Sequence, residues 1–281
     1  MNKITKIALS LTMLTSPAIA DTIEILTYYK PGGGTDQQIQ IAKPLIEAQG
    51  HTVNVQYLKS CNEAVARLKE GSGNVLMYHL NGDYDPGNTE AKCVVSASDA
   101  GVYIAGISAE SPLSVCAAPN ADVNRDNILT KPLKIGVPAG GAELWYVNKI
   151  ISTVGASNWE IERYRGGGKM RKGVMAGDVD LFFSTNVGLR KVKGHGDCFY
   201  SSMMNDPMGT PFVGGTDSEF PTIANANIIW SDTPDSVAVQ AMRAALTDTA
   251  YVKKMNSMKM TVPSFVEAPS LIEMYGTYSK E

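Results

Sequence analysis

Apolar and polar residues alternate from Thr22 to Thr27, the period of a half-buried strand, and Pro31-Gly32-Gly33-Gly34 then breaks the pattern. From Thr35 to about Gln49 the apolar residues Ile39, Ala42 and Ile46 recur at helical spacing, and Gly50 stands where a C-cap glycine belongs. Pro44 falls inside this helix and is expected to kink or shorten it, because proline has no N–H to give. Val53, Val55 and Tyr57 alternate once more. The run is strand, glycine-rich turn, helix, strand: a βαβ unit with parallel pairing.

The next helix opens with the capping box Ser60-x-x-Glu63, buries Ala64, Val65 and Leu68, and ends at Gly71. Asn74 to His79 reads as a third strand and Asn81 to Asn88 as a polar loop. Three separate strands are expected at Cys93 to Ala97, Val102 to Ile107 and Leu113 to Ala117. After a weakly patterned stretch the opening grammar returns. Leu133 to Val137 is a strand, Pro138-Ala139-Gly140-Gly141 a turn, and Ala142 to Val154 a helix. Trp159 to Tyr164 is a strand, Gly166-Gly167-Gly168 opens a helix through Met170 and Val174, and Val179 to Phe183 is the strand after it. The tail from Pro234 to Glu281 reads mostly as helix, with a loop around Thr261 to Pro269. Two α/β lobes account for this order.

The first twenty residues fit an export signal better than a fold. Lys3 and Lys6 precede a short apolar run, Ile7 to Leu14, and Ala18-Ile19-Ala20 is an Ala-x-Ala cleavage site. The mature chain is expected to begin at Asp21, with 261 of the 281 residues, in the periplasm. Without Lys3 and Lys6, 23 basic residues face 28 acidic ones, a formal charge of −5, which argues against a nucleic-acid or anionic-membrane partner. Four cysteines in an exported chain favour disulfides: Cys61, Cys93, Cys116 and Cys198, with Cys61–Cys93 the preferred pair. No Cys-x-x-Cys spacing supports a metal, and no cofactor is expected.

The candidate chemistry lies in the glycine-rich turns. Strands of an open α/β sheet present ligands to the helix N-termini at their carboxyl ends. Those N-termini carry unpaired N–H donors and partial positive charge, and glycines let a ligand approach them. Two such turns, Pro31 to Asp36 and Pro138 to Gly141, are placed to hold an anion between two lobes. Neither has the Gly-x-Gly-x-x-Gly spacing of a dinucleotide site, and no P-loop occurs.

Tyr29-Lys30-Pro31-Gly32-Gly33-Gly34-Thr35-Asp36, directly after the first mature strand, resembles the Pro-Gly-Gly-x-x-Asp signature of the Bug family, the TctC-type receptors of tripartite tricarboxylate transporters. The resemblance continues through Pro138 to Gly141, Tyr164 to Gly168, Gly177 to Phe182, Phe220-Pro221-Thr222 and Ala244-Ala245-Leu246. It implies a periplasmic binding protein fold of type II: two lobes, each a mostly parallel sheet flanked by helices, with the ligand cleft between them. The expected lobes are 21–116 plus 221–281, and 117–220. The implied function is capture of a small organic carboxylate by a monomer that serves membrane permease subunits; the alternative partner is a sensor kinase.

The ligand residues so implied are Tyr29, Pro31, Gly32, Gly33, Gly34, Thr35 and Asp36 on the first loop, and Ala139, Gly140 and Gly141 on the opposing one. Gly166, Gly167, Gly168, Ser184, Thr185 and Asn186 complete the second lobe's contribution, and His79 is a further candidate at a strand end. Glu143 departs from the family pattern. It is either a solvated first-turn residue or a charge that repels a second ligand carboxylate, which disfavours a tricarboxylate and favours a monocarboxylate, aromatic acid or amino acid. Trp145 and Tyr146 are read as core, with stacking on a flat ligand the alternative. Lys169, Arg171 and Lys172 are read as a solvated face. No Gly-x-Ser-x-Gly elbow and no His-Glu-x-x-His helix points to an enzyme, and a periplasmic hydrolase ranks below both receptor readings.

Overall fold

A computed structural model describes residues 21–79, 102–138, 141–215 and 224–263. The expected leader, the loop Asn81 to Asn88, the strand Cys93 to Ala97, the turn residues Ala139 and Gly140, Phe220-Pro221-Thr222 and the tail beyond 263 lie outside the described residues.

Among the described residues nine strands form the sheet: β1 (Thr22–Thr27), β2 (Thr52–Tyr57), β3 (Val75–His79), β4 (Tyr103–Ala117), β5 (Leu133–Pro138), β6 (Trp159–Tyr164), β7 (Leu181–Thr185), β8 (Cys198–Ser201) and β9 (Ala224–Ser231). Their order is β2-β1-β3-β9-β4-β7-β5-β6, and β8 pairs with β4 beside this path. The helices are α1 (Gly34–Glu47), α2 (Cys61–Lys69), α3 (Gly141–Val154), α4 (Gly167–Ala176), α5 (Asn186–Leu189), α6 (Val237–Thr247) and α7 (Thr249–Ser257). Among the described residues no helix is long and apolar enough to cross a membrane.

The expected βαβ unit is present, with β1 and β2 parallel from Thr22↔Thr52 to Thr27↔Tyr57. Helix α1 runs through Pro44 instead of stopping there. The bond that proline cannot make would have met the carbonyl of exposed Gln40, where water substitutes, and Ala48 N–H still reaches the Pro44 carbonyl at 3.0 Å. Ser60 caps α2 as expected, with Glu63 N–H donating to Ser60 Oγ at 3.2 Å, while the Glu63 carboxylate reaches one residue past the cap, Oε2 accepting from Lys59 N–H at 3.0 Å.

Two expectations are corrected. Val102 to Ile107 and Leu113 to Ala117 are not separate strands but parts of the single strand β4. The polar residues between them misled the periodicity, because they are buried and bonded. Ser108 Oγ donates to Gln38 Oε1 at 2.7 Å, and Glu110 exchanges backbone bonds with Thr261. Strands β8 and β9 are the second difference. In β9, Asn227 is buried, and its side chain accepts from Thr35 Oγ1 at 2.9 Å.

Strand β4 organises the molecule. Its first part pairs with β9, and its last part, Leu113 to Ala117, pairs with β7. Both faces of the sheet are covered: Ile25 faces α1, α6 and α7 with Ile39, Ala42, Met242 and Tyr251, while Leu26 on the other face joins Ala64 and Leu68 of α2. In β7, Phe183 packs with Tyr146 and Val147 of α3, and Phe182 with Met170 and Val174 of α4. Alternation along single strands thus builds cores on both faces.

Candidate functional site

Register decides where the carboxyl ends of the strands lie. Strand β3 is antiparallel to β9 and ends at His79, opposite Asn227, which is itself opposite Ala109 of β4. Strand β7 is antiparallel to β4 and ends at Thr185, opposite Leu113. The two strand sets therefore run toward each other and stop about four β4 residues apart, roughly 14 Å of extended chain. Because β1 and β2 are parallel to β3's set, and β5 and β6 to β7, Thr27 and Tyr57 share one rim while Pro138, Tyr164 and Thr185 share the other. The glycine-rich segments after β1, β5 and β6 all issue from these facing rims.

On the first rim, the chain turns at Pro31 with Gly33 N–H on the Lys30 carbonyl at 3.1 Å. Gly32 has φ +77°, the left-handed region. An L side chain there costs about 1–2 kcal/mol. Gly32→Ala is expected to lower the melting temperature by a few degrees, measured by thermal unfolding, and Gly32→Asn by less, because asparagine tolerates this region.

Asp36 holds the turn from within α1 and is only 6% exposed. Its Oδ2 accepts from Gly32 N–H at 2.6 Å, and its Oδ1 from Tyr57 Oη at 2.5 Å and Gln40 Nε2 at 3.2 Å. Burial by itself works to raise its pKa, but these donors outweigh it, and the carboxyl sits below its ordinary 3.8. Tyr57 is raised in turn, chiefly because its hydroxyl is held by Asp36. Thr35 is buried and anchored to Asn227. Tyr29 is half-buried against Tyr28, ring centroids 4.2 Å apart and hydroxyls bonded to each other.

Helix capping separates α1 and α4 from α2, α5, α6 and α7. Ser60, Thr185, Ser236 and Asp248 each cap their helix with a side chain. Helices α1 and α4 start instead at Gly33 and Gly166, with no side-chain cap. Gly166 has φ +88° and the first turn of α4 carries no acidic residue. Neither cap glycine offers a side chain to the leading N–H groups of its helix, which is the kind of helix start at which anions bind.

The other predicted residues are placed as follows. Gly141 begins α3, Glu143 lies in its first turn, and His79 closes β3. Tyr146 is fully buried and stacked on Phe183 at 5.9 Å, so it belongs to the core. Ser184 is buried against Gly188. Thr185 Oγ1 accepts from Gly188 N–H at 3.1 Å, which commits it to capping α5. Asn186 is 0% exposed; its Nδ2 donates to Asp206 Oδ1 at 3.0 Å and to the Lys259 carbonyl at 3.2 Å. Ser184 and Asn186 thus lie buried under the rim, with Thr185 half-buried between them.

A cavity of about 550 Å³ opens beside Asp36, lined by Gln37 and Gln40 of α1, Lys191 next to α5, and Lys254 and Met258 at the end of α7. Arg190 crosses it to donate to the Ser257 carbonyl at 2.9 Å. No motif marks these cations. Tyr57, by contrast, is foreseeable from parallel pairing alone, since it must end level with Thr27.

Cys116 and Cys198 form a disulfide that joins β4 to β8 at a paired position. The ring of His195 lies close by, within 4.8 Å of the sulfurs, but both sulfurs are committed to each other. Cys61 is also disulfide-bonded, while the partner expected for it, Cys93, lies outside the described residues.

No known family's sequence model matches the chain, and no curated protein's sequence does. Solved structures do. The periplasmic binding protein BugD matches 92% of this chain with 96% of its own, at a TM-score of 0.68 and 12% identity. MatC from Rhodopseudomonas palustris, solved with bound malate, matches 94% with 99% of its own, at 0.67 and 12%. A second R. palustris protein, solved with adipate, matches 92% with 95% of its own, at 0.67 and 11%. Across nearly its whole length, then, the chain has the two-lobed fold of the periplasmic binding proteins, with BugD and MatC among the structures that share it.

Proposed function

We propose that this chain is a periplasmic solute-binding protein of the Bug and TctC kind that captures a small organic carboxylate between its lobes and passes it to a tripartite tricarboxylate-type permease. One observation carries the reading: two sets of strands aim their carboxyl ends at each other across the middle of β4, with uncapped glycine-led helices on both rims. Anion binding at such helix starts follows from the unpaired N–H groups and the dipole. Malate and adipate in two proteins of the same fold support an acid as the ligand. On this reading the lobes are 21–116 plus 221–281, and 117–220. The chain is exported as a monomer after cleavage behind Ala20, and it binds without turnover. Pro31 to Asp36 cradle one acid group from the first lobe, while Ala139 to Gly141 and Gly166 to Gly168 close on it from the second.

A thermal-shift screen of the mature protein against small mono-, di- and tricarboxylates and amino acids tests this. Binding to the folded state alone stabilises it by about 2.7 kcal/mol when ligand is a hundredfold above Kd. For a chain of this size that is a rise of roughly 5–10 °C. A screen in which no acid moves the melting temperature at millimolar concentration overturns the reading.

A further inference from the structure

A formal charge of −5 works against the capture of an acid, because a uniformly acidic molecule repels an anionic solute before any hydrogen bond can form. The charge is far from uniform. Residues 163–176, 186–196 and 249–263 hold 11 of the 23 basic residues of the mature chain and none of its 28 acidic ones. The rest of the mature chain carries 12 basic residues against all 28 acids.

The fold gathers these three segments on one flank of the gap between the rims. Arg165 stands between the end of β6 and Gly166, and Lys169 and Lys172 lie in the first two turns of α4. Leu189 and Val192, on either side of Arg190 and Lys191, pack with Met170 and Val174 of α4 in one buried cluster. Arg190 reaches α7 through the Ser257 carbonyl, and Asn186 reaches the Lys259 carbonyl. Arg190, Lys191 and Lys254 line the cavity that Asp36 of the first turn also lines. Arg165, Lys169, Lys172, Lys191 and Lys254 are exposed, and among the described residues none of them makes an ion pair. Acids gather at the other ends of the strands. Asp180, just before β7, accepts from Lys134 N–H at 2.8 Å at the start of β5, and Glu47 and Glu70 stand at the ends of α1 and α2. On the rims, Asp36 is buried, Glu63 faces Arg67 at 3.8 Å, and Glu143 is half-buried.

We propose that this basic flank steers anionic solutes into the gap, so that its local charge, and not the net charge of the chain, governs the rate of capture; this rests on the carboxylate-capture reading above. Screening decides between the two charges. At 0.15 M salt the Debye length is about 8 Å. The acids at the amino ends of the strands are a strand length away, about 20 Å, so their field at the gap is largely screened. The cations of α4, the end of α5 and α7 border the gap itself and are felt there. Steering of this kind raises association rates by roughly 10–1,000-fold and falls as salt is added.

Stopped-flow tryptophan fluorescence of the mature protein mixed with acetate, malate, adipate and citrate tests the steering. Between 0.1 and 1 M sodium chloride the Debye length shrinks from about 10 to about 3 Å. Association of the acids that bind is expected to slow about fivefold or more over this range, most steeply for the acid of highest charge, with little change in dissociation. Control by net charge would give the opposite sign, since salt would then relieve repulsion and speed association. Joint replacement Lys169→Gln, Lys172→Gln, Lys191→Gln and Lys254→Gln should slow association by about threefold to tenfold at 0.1 M salt and flatten its salt dependence. The same charge change made with Lys69→Gln, Arg125→Gln, Lys134→Gln and Lys149→Gln, all exposed and away from the flank, should leave the rate within about twofold. The salt response of the unaltered protein needs no variant to fold. An association rate that is flat or rises with salt, or that the flank variant leaves untouched or lowers no more than the control variant does, overturns steering and leaves carboxylate capture standing. Failure of every acid in the panel to bind overturns capture itself, and steering with it.

Discussion

The double substitution of Cys116 and Cys198 by alanine is expected to lower unfolding stability by about 4–5 kcal/mol, on the order of 10 °C in melting temperature. The bridge spans 82 residues. By the loop-closure relation a separation of that length removes about 4.5 kcal/mol of chain entropy from the unfolded state. Its folded-state role is local: it fastens the short strand β8, four residues long, to the last part of β4. Cys116 is fully buried in a cluster with Met170, Val174 and Phe182, so the truncation also removes packing under α4. Denaturant unfolding of the double variant, with the bridge at Cys61 kept oxidised, measures the effect. A loss below about 1 kcal/mol would mean that the β4–β8 ladder and the apolar cluster hold without the bridge.

The second large effect is expected at Asp36. A carboxylate there offers both oxygens as acceptors, to Gly32 N–H on one and to Tyr57 and Gln40 on the other. Asparagine has one acceptor and one donor group, so Asp36→Asn either sets its N–H against Gly32 N–H or makes Tyr57 and Gln40 turn to accept from it. The expected cost is about 2 kcal/mol, since hydrogen bonds to charged groups contribute roughly 1.5–3 kcal/mol and exposed Gly32 regains part of its loss from water. Acid binding should weaken by tenfold or more, because the turn that aims the leading N–H groups is no longer held. Melting and titration of the same variant separate the two effects, and an Asp36→Asn protein that binds as tightly as the original denies Asp36 its positioning role.

The same carboxylate sets a pH dependence. Its folded pKa lies below the ordinary 3.8, so ionised Asp36 contributes its full stabilisation at pH values above 3.8. That contribution is lost as the pH falls from there through the lowered folded value. The acid limb of a stability profile should therefore be shallower in Asp36→Asn than in the original chain, with no difference in slope at neutral pH.

Much of the molecule was legible because it is written within a few consecutive residues. The alternation of Thr22 to Thr27, the Ser60 cap on Glu63 N–H and the helical spacing of Ile39, Ala42 and Ile46 each describe an interaction between near neighbours, and each forms. The glycine turns were legible for the same reason, since Gly32 and Gly166 signal left-handed backbone wherever the chain goes next. The failures share a cause as well. Ser108, Glu110 and Ser111 look like a break between strands, and only their distant partners Gln38, Asn227, Thr261 and Asn186 make them tolerable inside one. At Ser184, Thr185 and Asn186, likewise, only the tertiary structure shows the partners Gly188, Asp206 and Lys259 that these positions also have within the fold.

By itself, the sequence determined the local elements and the glycine-led helix starts, because period, caps and turn residues act over one or two turns of chain. Tertiary structure decided two things: that β4 is one strand, and that the two sets of carboxyl ends meet at its middle. Each depends on register between segments tens of residues apart. That register is set by side-chain packing across the whole sheet, which no short stretch of sequence contains.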